Sequence, residues 1–445
     1  MDHREPWNPD RAWADPFIAT LALLVVLAVG SLHRAGRGAP APAAPGAGLQ
    51  GRVLDISLGG ARFLAAGPGP RKGIAGEVRG WDGAVAAVYA AEGGDKDRAL
   101  ALVKDLPGPE GATFRGVLAY AYGGSGAPPS PADTDRCARA LGGGGAAGLL
   151  QARLARRAGA DPKPFEDRAR DWVLPRFLGL MAAGLGGMAL FLGGLAYLLV
   201  LALSHKPAAP TPRFRMAGRA VLIVLLGWFV THLASALILG LVVRGLPFLR
   251  PFHLPLTYAF HAVLGTAYLC LAEGLSLGEL AARVAPGPKG RALLADACWF
   301  AVAFTLVATI AIALGPLLKS QEPPQRELME LIARTRGPLA LAATFLTVAV
   351  LAPTFEELLF RGFLLPWLSE RFQERLSPGR ARMLAVLVTA AAFGAMHLQP
   401  MALPTLCTLG AVLGFAFLRT GNLLTAILVH GLWNGGIFVA LKLLA

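Results

Sequence analysis

Charge is scarce in this sequence. Asp, Glu, Lys and Arg make up 16% of its 445 residues and hydrophobic residues 55%, whereas a soluble globular chain carries about 25% charged residues. That deficit argues against water as the surroundings of most of the chain. Acidic residues are the scarcer sign, 28 against 42 basic, for a net charge of +14. A basic balance invites a nucleic-acid partner, but the placement of the cations argues against one. Arg213, Arg215, Lys289, Arg291, Arg380 and Arg382 stand at the ends of apolar runs, where they face water and anionic lipid headgroups. Cysteine is nearly absent. The four residues Cys137, Cys270, Cys298 and Cys407 are far apart with no C-x-x-C pair, so neither a zinc knuckle nor a disulfide framework is signalled. No H-E-x-x-H occurs either, which removes the commonest zinc-protease signature.

Long apolar runs are what the sequence has instead. The first, residues 16–32, is long enough to cross a bilayer. Asp2, Glu5, Asp10 and Asp15 precede it and His33-Arg34 follows, which fits an uncleaved anchor better than a signal peptide. Residues 34–170 then change character, with Gly, Pro, Ala and charge replacing leucine runs. Short helix-like apolar spacing broken by Gly and Pro predicts a small, helical, water-exposed domain, built from helical hairpins and without a constellation of chemical groups. Further apolar runs follow at 173–203, 217–243, 254–277, 292–318, 339–368, 383–398, 401–418 and 423–444. With the first run they predict an all-α, polytopic transmembrane bundle of about nine spans. The domains expected are 1–33 (anchor), 34–170 (exposed domain), 171–336 (spans) and 337–445 (the core with the motifs below). Glycines 179, 184, 186, 187, 193 and 194 predict close helix–helix approach in lipid.

Charge bias orients the chain in a cell membrane. The loops near 205–215, 283–291 and 370–382 are basic and alternate with poor ones, which places the N-terminus in the cytoplasm and residues 34–170 outside. The basic stretch 319–336 runs against this pattern, only partly offset by Glu322, Glu327 and Glu330.

Ionisable groups at membrane depth cost several kcal/mol each and persist where they pair or act. Three apolar runs carry them. In the run 339–368 stand Glu356, Glu357 and Arg361. Glu357 and Arg361, four residues apart, share a helix face and can neutralise each other, while Glu356 is rotated by about 100° and can point into a cavity. Pro353 upstream can kink the helix and open space beside the carboxylates. The bland alternative is a helix end at the water boundary, but apolar sequence continues to Leu368. The next run ends in Phe393-Gly394-Ala395-Met396-His397, and the last contains His430 and Asn434 at i and i+4, on one face. The alternative for that pair is helix packing alone. Together these groups suit peptide hydrolysis. Glu356 with His397 can take a proton from water, and His430 with Asn434 can hold the oxyanion. The same groups could instead be zinc ligands, namely Glu356, His397 and His430 with a water. His232, His253 and His261 have no carboxylate at helical spacing and are expected to pack.

The ordered motifs E-E-x-x-x-R, F-x-x-x-H and H-x-x-x-N, here Glu356-Glu357…Arg361, Phe393…His397 and His430…Asn434, resemble the CPBP family of intramembrane proteases, which includes the CAAX prenyl endopeptidases and bacteriocin-immunity-type homologues. The resemblance covers roughly residues 337–445. It implies a membrane endopeptidase with Glu356, His397, His430 and Asn434 catalytic and with Glu357, Arg361 and Phe393 in supporting roles. Its implied partners are a membrane-embedded or membrane-anchored protein substrate and the bilayer. It leaves open whether a divalent metal such as zinc is used. Two other functions compete: a non-catalytic membrane scaffold or immunity protein, and a proton-coupled transporter. The transporter would show an inverted repeat of broken helices, and the sequence has none.

Overall fold

The computed structural model describes residues 49–65, 80–204, 218–274, 276–279, 293–318, 332, 335, 337–397 and 399–444. The expected anchor at 16–32 lies outside the described residues, as do the loop residues 205–215 and 283–291 and most of 319–336. Every regular element among the described residues is a helix. The chain divides into two compact units, Gly38–Gly186 and Gly187–Leu441, apart from short terminal pieces.

In the first unit, α1 (Leu49–Ala65), α2 (Gly80–Glu92), α3 (Lys96–Val103), α4 (Gly108–Leu118), α5 (Pro131–Ala140) and α6 (Gly145–Arg157) follow one another as short hairpins. Local chemistry sets their ends. The Asp95 side chain accepts from the Arg98 amide at 3.1 Å and caps α3. Ser130 does the same for α5, with Pro131 at its first position, where a missing N–H costs nothing. Ile56, Phe114, Leu118 and Leu150 form the core of the unit. A buried carboxylate stands beside it. Asp55, on α1, is 2% exposed, and its Oδ1 accepts from the Tyr89 hydroxyl and from the Ala146 amide, each at 2.7 Å. It therefore caps a helix 91 residues away in sequence. Gly144 and Gly145 allow this, because a Cβ on Gly144 would collide with the carboxylate.

The division between units falls inside α7 (Lys163–Leu203), a 41-residue helix that starts in polar sequence and becomes wholly apolar. In the second unit, α8 (Gly218–Gly245) and α9 (His253–Glu273) form an antiparallel pair through a tight turn at Pro247–Phe252. They are followed by α10 (Leu293–Leu318), α11 (Pro338–Gln373), α12 (Pro378–Met396), α13 (Leu403–Thr420) and α14 (Leu423–Leu444). Among the described residues, seven helices are long and apolar enough to cross a membrane, namely α7, α8 and α10 to α14. With α9, eight of the expected apolar segments are helices. Leucines such as Leu185, Leu199, Leu237, Leu271 and Leu294 are exposed on them, which water would penalise and lipid does not. The close approach expected of the glycine-rich run occurs at Gly194, where a Cβ would strike Ala301 and Thr305 of α10; Thr305 Oγ1 donates to Phe191 O at 3.0 Å across the gap.

Burial raises the Asp55 carboxyl from 3.8 to about 6, with the hydrogen bonds from Tyr89, Ala146 and Gly145 acting the other way. A carboxyl raised on folding favours the fold when protonated. We predict that this contribution, on the order of 3 kcal/mol at most, is full below about pH 4 and is lost as pH rises through about 6. Hydrogen exchange of the α6 amides in the full chain, corrected for intrinsic rates, should show protection falling over that interval. Asp55→Asn retains the capping oxygen and should flatten the dependence; an unaltered slope in that variant would contradict the assignment.

Candidate active site

Every residue of the three motifs lies in the second unit, and the site is built around a helix that is not regular. In α11 the stretches Thr347–Leu351 and Leu358–Leu364 are wound in π register, on either side of the α-helical turn Ala352–Glu357. The cause of the first is readable in Pro353. The Ala352 amide bonds to Thr347 O, five residues back. The next amide in that register would bond to Val348 O, but it belongs to proline and carries no hydrogen. The orphaned carbonyl accepts instead from Asn434 Nδ2 of α14, at 3.1 Å. Gly431 brings α14 this close, since a Cβ there would collide with Ala349 O. Asn434 is thus tied to the backbone of the glutamate helix, a contact that helical spacing did not reveal. Its Oδ1 and second N–H take no part in that bond.

One turn beyond Pro353 lie the two glutamates. Glu357 and Arg361 are both 0% exposed, and Arg361 Nη1 donates to Glu357 Oε1 at 2.9 Å. The pairing expected from their spacing is present. Arg361 Nη2 donates to Gly410 O of α13 at 2.7 Å, and the guanidinium lies over the Phe393 ring, 4.8 Å from its centroid. The same Glu357 oxygen faces His430 Nδ1 at 2.9 Å. Glu357 is therefore a junction between the cation and the imidazole. With Nδ1–H given to the carboxylate, His430 acts through Nε2, as a donor when the ring is charged and as a base when it is neutral.

Glu356 points elsewhere, as its rotation on the helix predicts. Its side chain is 13% exposed and its Oε2 stands 3.9 Å from His430 Nε2, too far for a direct hydrogen bond. Among the described residues neither atom is tied to another group, and Glu356 Oε2 is buried without a partner. A separation of that length suits one water bonded to both. His397 terminates α12 with its Nδ1 2.8 Å from Phe393 O, leaving Nε2 free. It makes no hydrogen bond or ion pair with Glu356 or His430 among the described residues. The Phe393 ring packs on both histidines, 5.0 Å from that of His397 and 5.5 Å from that of His430.

Each histidine holds Nδ1 on an oxygen and leaves Nε2 open, an arrangement that metal-ligating histidines also use. A metal needs a third ligand, however, and among the described residues no three His, Cys, Asp or Glu side chains converge as a metal site.

Helical spacing in the sequence left one neighbouring cluster unnoticed. His232 and His261 lie with their ring centroids 4.9 Å apart, and His261 is 5.9 Å from Phe355, the residue before Glu356. The pairs Trp228/His232 and Thr257/His261, each at i and i+4, were the available signal.

Residues 338–436 match the family model described as "Rce1-like: Type II CAAX prenyl endopeptidase Rce1-like". The matched segment is similar to that family over the part of the second unit that carries the three motifs. No curated protein and no solved structure matches the chain.

The junction at Glu357 predicts a specific stability defect. Glu357→Gln leaves Arg361 buried without its counter-charge, at a cost of about 3–5 kcal/mol, and should lower the thermal unfolding midpoint of the purified protein in detergent. A Glu357→Gln protein as stable as the wild type would show that the pair is not what holds Arg361.

Proposed function

We propose that this domain hydrolyses peptide bonds of membrane-embedded or membrane-anchored proteins, with CAAX-type processing the closest chemical precedent, in a cell membrane with the N-terminus cytoplasmic. The observation that carries the reading is the open pair of Glu356 Oε2 and His430 Nε2, 3.9 Å apart, inside an apolar bundle where unpaired polar atoms are costly.

In this mechanism a water held between the two groups gives a proton to the Glu356 carboxylate, and the oxygen attacks the scissile carbonyl. Negative charge develops on the carbonyl oxygen. The remaining N–H of Asn434 and the Nε2–H of charged His430 stabilise it. Glu357 supports His430 by accepting from Nδ1, which fixes the ring orientation. Glu356 then returns its proton to the departing amine. His397, whose ring packs on Phe393, is assigned to binding the leaving segment through its free Nε2. Should a divalent metal bind, Glu356 and His430 hold the two open ligand atoms, and it would supply a polarised water; the donor set lacks a third converging ligand, and no step above depends on one.

Two predictions follow from these roles. Glu356→Gln should abolish cleavage of membrane substrates, followed by comparing membrane proteomes, while leaving the unfolding midpoint close to wild type, because Glu356 carries no structural hydrogen bond. Cleavage that survives in this variant would remove Glu356 from the mechanism. Asn434→Ala should lower turnover by about two to three orders of magnitude with little change in substrate affinity, in protein whose metal content is substoichiometric. Stoichiometric zinc that disappears in His430→Ala, with near-normal turnover in Asn434→Ala, would replace the oxyanion mechanism with a metal-dependent one.

A further inference from the structure

A second polar cluster adjoins the site on α8 and α9 and has no part in the mechanism above. The rings of Trp228, His232 and His261 touch one another, with centroids 5.9 Å (Trp228–His232), 4.9 Å (Trp228–His261) and 4.9 Å (His232–His261) apart. Each ring carries a buried nitrogen without a partner: Trp228 Nε1, His232 Nδ1 and His261 Nε2. Thr257 Oγ1, one helical turn before His261, is unpartnered as well. His261 is 0% exposed. The cluster borders the reacting groups. His261 packs on Phe355, and Tyr258, whose ring is 5.7 Å from His232, lies within electrostatic range of Glu356.

The donor and acceptor character of these atoms narrows what they would bind. Thr231 Oγ1 donates its hydrogen to Trp228 O at 2.8 Å, so toward His261 Nδ1, at 3.4 Å, it can only accept. That contact, though long, assigns the proton of neutral His261 to Nδ1 and leaves Nε2 an acceptor. Trp228 Nε1 is a donor only, and the Thr257 hydroxyl is both. Among the described residues no acidic side chain completes the cluster to suit a cation, and a carboxylate would bring a second negative charge toward Glu356. A neutral mixture of donors and acceptors matches the peptide group, which offers one of each per residue.

We propose that Trp228, His232, Thr257 and His261 form a subsite that hydrogen-bonds the main chain of the substrate beside the scissile bond. It rests on the reading of Glu356 as part of a protease and names how that protease holds an extended peptide. Groups that are costly when unpaired in an apolar bundle become paired when the substrate backbone enters, which orients the peptide across Glu356 without selecting its side chains.

The test uses full-length Glu356→Gln protein in detergent, so that binding is read without turnover. The probe is a fluorescein-labelled farnesylated peptide, together with depsipeptide analogues in which one main-chain N–H at a time is replaced by oxygen. Affinity is followed by fluorescence anisotropy. His261→Phe, Thr257→Val and Trp228→Phe keep the shape of the side chains they replace and should each weaken parent binding by roughly 3- to 10-fold, the scale of one hydrogen bond. At least one depsipeptide should bind the unsubstituted control more weakly than the parent, yet bind His261→Phe no more weakly than the parent does. Unchanged affinity in all three variants would overturn the subsite, leaving water as the partner of these groups. So would an equal loss for every analogue, which would mean contact with the lipid group and not the main chain. If the control does not bind the peptide, cleavage by wild-type protein separates the failures. Cleavage without binding sinks the subsite alone, and absence of both sinks the protease reading with it.

Discussion

A carboxylate with no access to water holds the second unit's site together. Glu357 takes the Arg361 guanidinium and the His430 imidazole on a single oxygen, and the cation in turn reaches Gly410 O and the Phe393 face. Helices α11, α12, α13 and α14 thus meet at one charge-neutral cluster. In an apolar bundle neither ion would be tolerated alone, so the pair fixes where these helices can sit. It also aims the imidazole: with Nδ1 committed to Glu357, the remaining ring nitrogen can only face Glu356.

A proline provides the second constraint. Pro353 withdraws one amide from a stretch already wound in π register, and the carbonyl it strands becomes the anchor for Asn434. Irregular backbone in a membrane is tolerated where neighbours satisfy it, and the neighbour here is a residue that the proposed mechanism also employs. The defect in the helix and the placement of a candidate oxyanion donor therefore have one cause. Glu356 and Glu357 stand together in the α-helical turn between the two π stretches, so that adjacent carboxylates point apart, one open toward His430 Nε2 and the other bonded to Arg361 and His430 through Oε1.

The first unit is stabilised differently. It has an interior of small and aromatic residues, and among its described residues the deeply buried carboxylate Asp55 closes the start of a distant helix. Burial of a titratable group is thus not by itself a sign of catalysis. What separates Asp55 from Glu356 is satisfaction: the former accepts a hydroxyl and main-chain amides, whereas an oxygen of the latter is buried with no partner.

The spans, the helical first unit and the Glu357–Arg361 pair were legible in the sequence, because each depends on composition or on residues within one or two helical turns. So were the candidate residues of the proposed site, since an ionisable side chain in an apolar run is conspicuous wherever it stands. Their partners were not legible. His430 meets Glu357 across 73 residues and Asn434 meets Val348 O across 86, and no helical period encodes which carbonyl a proline strands or which amide reaches it. The sequence offered Glu356 with His397 as the base for water; which histidine stands within 3.9 Å of Glu356, namely His430, was not legible in it. His232 and His261 passed as packing residues because their significance lies in what they touch on a neighbouring helix. By itself the sequence determined which residues could not be left alone in lipid, as that follows from the solvation of each side chain. Only the tertiary structure decided which of them satisfy one another and which stay open, because that depends on contacts between helices far apart in the chain.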